Sequence, residues 1–257
     1  LLLHQALRLP VCAPVASGSG MPETDAELFR MGTLRENNGV LEQPALGGEM
    51  RMRNEGTARG LAPSPPLPNQ ARIGPNAIIQ TVQALKECYG PDQAAALLQP
   101  GGQAWLLDYH PTEMIDEQLF RDLVLLLVEQ IGVADANHIL QRSGQYTARY
   151  LLQHRIPGPF QRLLKLLPRR PALALLLVAI SKHAWTFVGS GTFTYSLGRP
   201  PQLTIASGIQ SRGAIAGFYA GTFETLLQSL IDAQTHVVPV AAQADGDNRC
   251  IYDIRFS

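Results

Sequence analysis

Leu173-Ala-Leu-Leu-Leu-Val-Ala-Ile-Ser-Lys-His-Ala-Trp-Thr-Phe-Val-Gly-Ser-Gly-Thr-Phe-Thr-Tyr-Ser196 holds the change of pattern that decides the fold. Its first part continues an apolar run that Pro171 restarts, and it reads as helix as far as His183. Beyond His183 the residues turn β-branched and aromatic. Thr186-Phe-Val and Thr192-Phe-Thr-Tyr-Ser, bounded by Gly189, Gly191 and Gly198, predict strands. Helix before, strand after: the rest of the folded chain follows the same division.

Upstream, Gly74-Pro75-Asn76 opens a helix in which Ile78, Ile79, Val82, Leu85 and Tyr89 recur at helical spacing, and Gly90 closes it. A short helix is expected over 92–98, then a loop over 108–113. Asp116 begins a long apolar helix that Gly132 stops, and a further helix covers 134–153. Pro157-Gly-Pro159 breaks the chain before a short helix at 160–167. Downstream, a strand is expected at 203–206, a helix at 213–234 and a closing hairpin of 237–240 with 251–256 around Asp245-Gly246-Asp247. Helices mostly first and short strands mostly last define an α+β domain rather than an alternating βαβ one.

Composition sets the domain limits within the 257 residues. Residues 1–70 hold 8 of the 19 prolines and 8 of the 23 glycines but one of the 17 aromatics, Phe29. So little apolar bulk does not offset the entropy of ordering a backbone. With Leu61-Ala-Pro-Ser-Pro-Pro-Leu-Pro68 at its end, 1–70 reads as a disordered extension and linker, and 71–257 as one domain. The stretch before Met21 reads as an over-extended start or a fragment boundary.

Charge and cysteine content narrow the function classes. Lys+Arg and Asp+Glu both number 21, so no net field favours nucleic acid. The longest unbroken apolar run, 172–180, is about half the length a bilayer requires, which argues against a transmembrane segment. Three distant cysteines, Cys12, Cys88 and Cys250, do not make a disulfide framework and fit a reducing compartment.

Motifs for chemistry are sparse. Gly189-Ser-Gly191 lacks the third glycine and the following helix of a dinucleotide fingerprint. No P-loop, Cys-x-x-Cys or His-Glu-x-x-His occurs, and Cys250 reads as a small core residue. His110, Glu113 and Glu117 are better read as loop polarity than as a metal site. His183, beside Trp185 and Phe187 at the end of an apolar helix, is expected to be desolvated. It reads either as a ligand for the magnesium of a chlorin, or a partner for a propionate, or as a helix-end histidine bonded to carbonyls. His138 and Arg142 share a helical face, as do Tyr146 and Tyr150. Arg149 and Arg155 flank Gln153-His154, and these arginines either hold a carboxylate or form a solvated face.

Six short segments stand in a telling order: Ala71-Arg-Ile-Gly-Pro-Asn-Ala77, Met114-Ile-Asp-Glu117, Thr147-Ala-Arg-Tyr150, His154-Arg-Ile-Pro157, Leu163-Leu-Lys-Leu-Leu-Pro168 and Ala179-Ile-Ser-Lys-His-Ala-Trp-Thr-Phe187. Together they resemble the bacteriochlorophyll 4-vinyl reductase (divinyl protochlorophyllide 8-vinyl reductase) family, closely over 71–191 and loosely beyond. The resemblance implies a 4-vinyl reductase domain with helices on one side of a small antiparallel sheet. That fold is shared with Golgi-transport ligand-binding proteins and, distantly, haem-type nitric-oxide sensors. It also implies an enclosed apolar cavity and, in many relatives, a dimer. The chain departs from the family at 207–219, which lacks an Asn-Pro and a Cys-x-x-His-like segment. Related domains end in two cysteines, whereas here Cys250 stands with Ala241 or Ala242 at the earlier position, so no zinc site is carried over.

The expectation is therefore a bacteriochlorophyll-synthesis protein that binds a magnesium porphyrin or chlorin, divinyl protochlorophyllide or a neighbour. It would assist 8-vinyl reduction or deliver substrate to other pathway enzymes. His183, Trp185, Phe187, Tyr150, Arg155 and Arg149 are the candidate ligand-binding residues. The catalytic residues and the reductant are unassigned, because the sequence displays no site for an electron source. Two rivals stand beside this reading: the vinyl reductase itself with an external donor, and an assembly or regulatory module. The expected location is the cytoplasm, or the periphery of the photosynthetic membrane.

Overall fold

Asp116 sets the start of the longest helix, because its side chain accepts the Gln118 N–H at 2.9 Å and satisfies one of the donors left open at a helix N-terminus. In this computed structural model, residues 71–208, 211, 213–240 and 249–256 are described. The expected extension over 1–70, the turn at Asp245-Gly246-Asp247 and the positions of Ala241 and Ala242 lie outside them.

A two-residue strand β1 (Arg72–Ile73) leads into α1 (Asn76–Tyr89), which Gly90 closes at φ 79°. Then follow α2 (Pro91–Leu98), a 3-10 turn at Ala104–Asp108 and β2 (Ile115–Asp116), which pairs antiparallel with β1. Next come α3 (Glu117–His154), α4 (Gly158–Leu166), α5 (Arg169–Lys182) and the single turn α6 (Trp185–Val188). β3 (Thr192–Ser196) and β4 (Gln202–Ala206) precede α7 (Ile215–Leu230), and β5 (His236–Pro239) and β6 (Arg249–Arg255) close the chain. The four long strands form an antiparallel sheet in the order β3-β4-β6-β5.

Alternation along the strands turns one face of that sheet inward. Leu203 and Ile205 of β4, Val237 of β5, and Cys250, Tyr252 and Ile254 of β6 are buried. α7 lies against this sheet: the Tyr252 hydroxyl donates to Ala216 O at 2.8 Å, and Phe223 stacks on Phe193 of β3 at 5.7 Å. α3 then packs on α7, with α1 beyond. The α+β architecture with helices on one side of a small antiparallel sheet is the one expected.

Glycine makes the α3–α7 crossing close. A Cβ on Gly217 would strike Asn137 O, one on Gly221 would strike Gln141 O, and one on Gly144 would strike Phe218 O. Thr222 Oγ1 donates across the same crossing to Gly144 O at 3.2 Å. On the α1 side, the buried hydroxyls of Thr81 and Ser143 satisfy each other at 2.8 Å, as buried polar groups require.

Gly132 is the expected break. It sits at φ 83° inside α3, a left-handed value that interrupts the helical backbone and divides the segment in two. Taken as one piece, α3 is long and apolar enough to cross a membrane, which a count of unbroken apolar runs does not register. The break divides this piece, and Phe120, Leu123, Leu127, Ile139 and Leu140 are buried in the core.

Two expectations are corrected. Thr186-Phe-Val is not a strand but the helical turn α6: Thr186 N–H and Oγ1 both donate to His183 O, and Phe187 N–H donates to Ala184 O. These local bonds override the β preference of the residue types. α7 stops at Leu230 rather than 234, because Asp232 draws the chain into a turn by accepting Gln234 N–H, while Thr235 Oγ1 donates to Asp232 O. Cys250 is free and buried.

Candidate functional site

α5 ends where its last carbonyls run out of helical partners, and His183 occupies that end. Its backbone N–H donates to Ile180 O at 3.0 Å, while its side chain is exposed rather than desolvated. Trp185, two residues on, is 60% exposed. Phe187 turns inward and meets Phe193 and Phe223 edge-on at 5.7 and 6.0 Å, so its ring is already spent on the core.

The other three candidates gather at the end of α3. Tyr150 stacks on His154 at 4.7 Å, and the exposed Arg149 lies over the Tyr146 ring at 5.5 Å. Arg155 is exposed just past the helix. Arg142 does hold a carboxylate, that of Glu87 on α1 at 3.3 Å, and its Nε donates to the Tyr146 hydroxyl at 2.8 Å. Tyr146 in turn donates to Glu87, and burial followed by this bond pushes its phenol pKa up. No ring contact, hydrogen bond or ion pair among the described residues joins the His183 group to the Tyr150 group.

Phe120 packs against Phe218, and Phe187, Phe193 and Phe223 cluster against the sheet. Two open hollows lie beside the start of α3. One of about 470 Å³ is lined by Arg72, Tyr109 and Met114 among others. The second, of about 310 Å³, is lined by Ala71, Asp116, Glu117, Gln118, Arg121 and Ser190.

That second hollow contains an arrangement that the sequence does not disclose. Glu117 is only 4% exposed, and its carboxylate accepts the Ser190 N–H at 2.8 Å. Gly189, at φ 56°, and Gly208 both back onto this carboxylate, and a Cβ on either would collide with it. Gly189-Ser-Gly191 is thus a turn shaped around a buried acid. The Nε of Arg121, one helical turn after Glu117, is buried with no hydrogen-bond partner among the described residues, an open donor for a carboxylate or carbonyl oxygen. Nearby, burial raises the phenol pKa of Tyr219, against a smaller lowering by its bond to Ser207. No group of three metal-ligating side chains occurs among the described residues, and His110 and Glu113 are exposed while Glu117 is turned inward.

Fold and site together describe an α+β protein with aromatic clusters in its core, a buried acid at one helix start and exposed aromatic groups at a helix end. Comparison with known proteins takes the assignment further. No family model matches the chain. It is 31% identical over 207 residues to the bacteriochlorophyll synthase 23 kDa chain of Cereibacter sphaeroides, covering 71% of this chain and 90% of that one. It is also 31% identical over 199 residues to the protein of the same name from Rhodobacter capsulatus, covering 75% and 91%. The chain belongs to this family of bacteriochlorophyll biosynthesis proteins. Among solved structures, an H-NOX-family haem-distortion structure aligns with TM-score 0.48 and 17% identity over 71% of this chain and 94% of that one. An oxygen-binding H-NOX domain related to soluble guanylate cyclases aligns with TM-score 0.43 and 15% identity over 69% and 90%.

Proposed function

We propose that the protein holds a magnesium tetrapyrrole intermediate of bacteriochlorophyll synthesis, divinyl protochlorophyllide or a neighbour, on its outer surface. By doing so it assists reduction of the 8-vinyl (4-vinyl) group or hands the substrate to the enzyme that reduces it. The observation that carries this reading is the exposed Trp185 indole beside the exposed His183 imidazole. The indole has no ring partner among the described residues, and a flat macrocycle offers one. A neutral imidazole supplies an axial nitrogen to magnesium, and a protonated one pairs with a propionate. The exposed Arg155 and Arg149 are the further donors for ligand carboxylates, with Tyr150 beside Arg149. The ligand then rests on a face and needs no interior chamber.

The relatives' names describe a chain of a synthase, which favours an accessory subunit over a free-standing enzyme. The rival, a reductase using an external donor, is tested by anaerobic assay of the purified chain with divinyl protochlorophyllide and NADPH, flavin or ferredoxin. Turnover by the chain alone would replace the carrier reading. The carrier reading is tested by tryptophan fluorescence, since the chain has two tryptophans, Trp105 and Trp185. Magnesium protoporphyrin should quench the emission, Trp185→Phe should remove most of the quenching, and Trp105→Phe should keep it. The reverse pattern contradicts the proposal.

A further inference from the structure

Charge in this chain is balanced overall and unbalanced along its length. Between Asp135 and Glu224 the sequence holds ten Arg or Lys and no Asp or Glu. The centre of that stretch is α4 and the start of α5. Phe160, Leu164 and Leu167 of this segment face the core, and Gln161 ties it down by donating to Leu152 O and Ile156 O. Its outer side is left with Leu163, 46% exposed, and Leu166, 83% exposed, interleaved with exposed Arg162 and Lys165. Arg169 is bound to Asp232 at 2.9 Å, whereas Arg162, Lys165 and Arg170 make no ion pair among the described residues.

Leucines three residues apart, flanked by long cations, have the pattern of a helix lying in a lipid interface. The leucines enter the acyl boundary while the cations snorkel to phosphate. Clustered cations gain further from an anionic leaflet. A nucleic acid would use the cations and leave the leucines in water; a lipid surface uses both. We propose that the outer face of α4, extended by Arg170, docks the protein on an anionic bilayer surface. This goes beyond the carrier reading and does not depend on it.

The test is flotation of the full, pigment-free chain with phosphatidylcholine vesicles, with and without roughly a third phosphatidylglycerol. Binding is expected to the anionic vesicles alone and to weaken in about 0.5 M salt. Leu163→Ser with Leu166→Ser, both on the surface, should lower the bound fraction about tenfold with unchanged circular dichroism. Arg162→Glu with Lys165→Glu should do the same. Leu125→Ser, an exposed leucine on α3, should bind as wild type. Equal binding to neutral vesicles, no binding to either, or full binding by the α4 variants overturns the proposal. So does a dimer that the leucine variant disrupts in the absence of any vesicle binding, which would give this face to a second copy.

Discussion

Tyr219 and Tyr252 are buried phenols, and burial is the main reason both titrate above their ordinary range. An unfolded phenol loses its proton near pH 10, while these keep theirs in the fold to higher pH. Above about pH 10 the unfolded state therefore binds fewer protons, so their stabilisation is fully present below that pH and is lost as pH rises. Urea melts at successive pH values should show the midpoint falling from about pH 10 upward, and Tyr219→Phe should flatten the fall. At neutral pH, Tyr252→Phe should cost about 1 kcal/mol by removing the donor to Ala216 O. Single residues were legible in the sequence only where type and place agreed. His183 was marked because it ends an apolar run, yet the chain turns at Ala184 and leaves the imidazole in solvent. Glu117 passed as loop polarity because nothing near it in sequence reveals that Gly189 and Gly208 close over it.

At the scale of elements, the α3–α7 crossing stands on missing side chains. Gly221→Ala would push a methyl group into Gln141 O and should cost about 1–3 kcal/mol, read by denaturant unfolding. Gly132→Ala forces a left-handed backbone on a residue with a Cβ and should cost about 1–2 kcal/mol. Helices and strands with strong periodicity were legible: α1, α2, α4, α5 and β4 fall close to where spacing and prolines put them, and Gly132 breaks α3 as its residue type suggests. Thr186-Phe-Val was not legible, since three residues of β-type cannot announce that His183 O will capture Thr186 twice. Nor does spacing disclose a helix crossing, for Gly217 and Gly221 read alone are only two weak helix formers.

For the whole molecule, aromatic rings gather in two places in the core, Phe120 with Phe218 and Phe187 with Phe193 and Phe223. Of the aromatic candidates, Phe187 packs on Phe193 and Phe223, Tyr150 stacks on His154, and His183 and Trp185 are exposed. Domain class was legible from the order of elements, because helix and strand patterns segregate along the chain. Whether an interior is hollow depends on how rings interlock in three dimensions, which periodicity does not encode. The chain belongs to a bacteriochlorophyll biosynthesis family, and the exposed Trp185 and His183 are where the proposed pigment contact is tested.

The decisive measurement is the Soret band of a magnesium porphyrin titrated with the full chain and with His183→Ala. A shifted band that saturates with wild type, and a variant at least about tenfold weaker, roughly 1.4 kcal/mol of lost affinity, is the expected result. An unshifted band, or identical titrations of the two proteins, contradicts a surface site centred on His183.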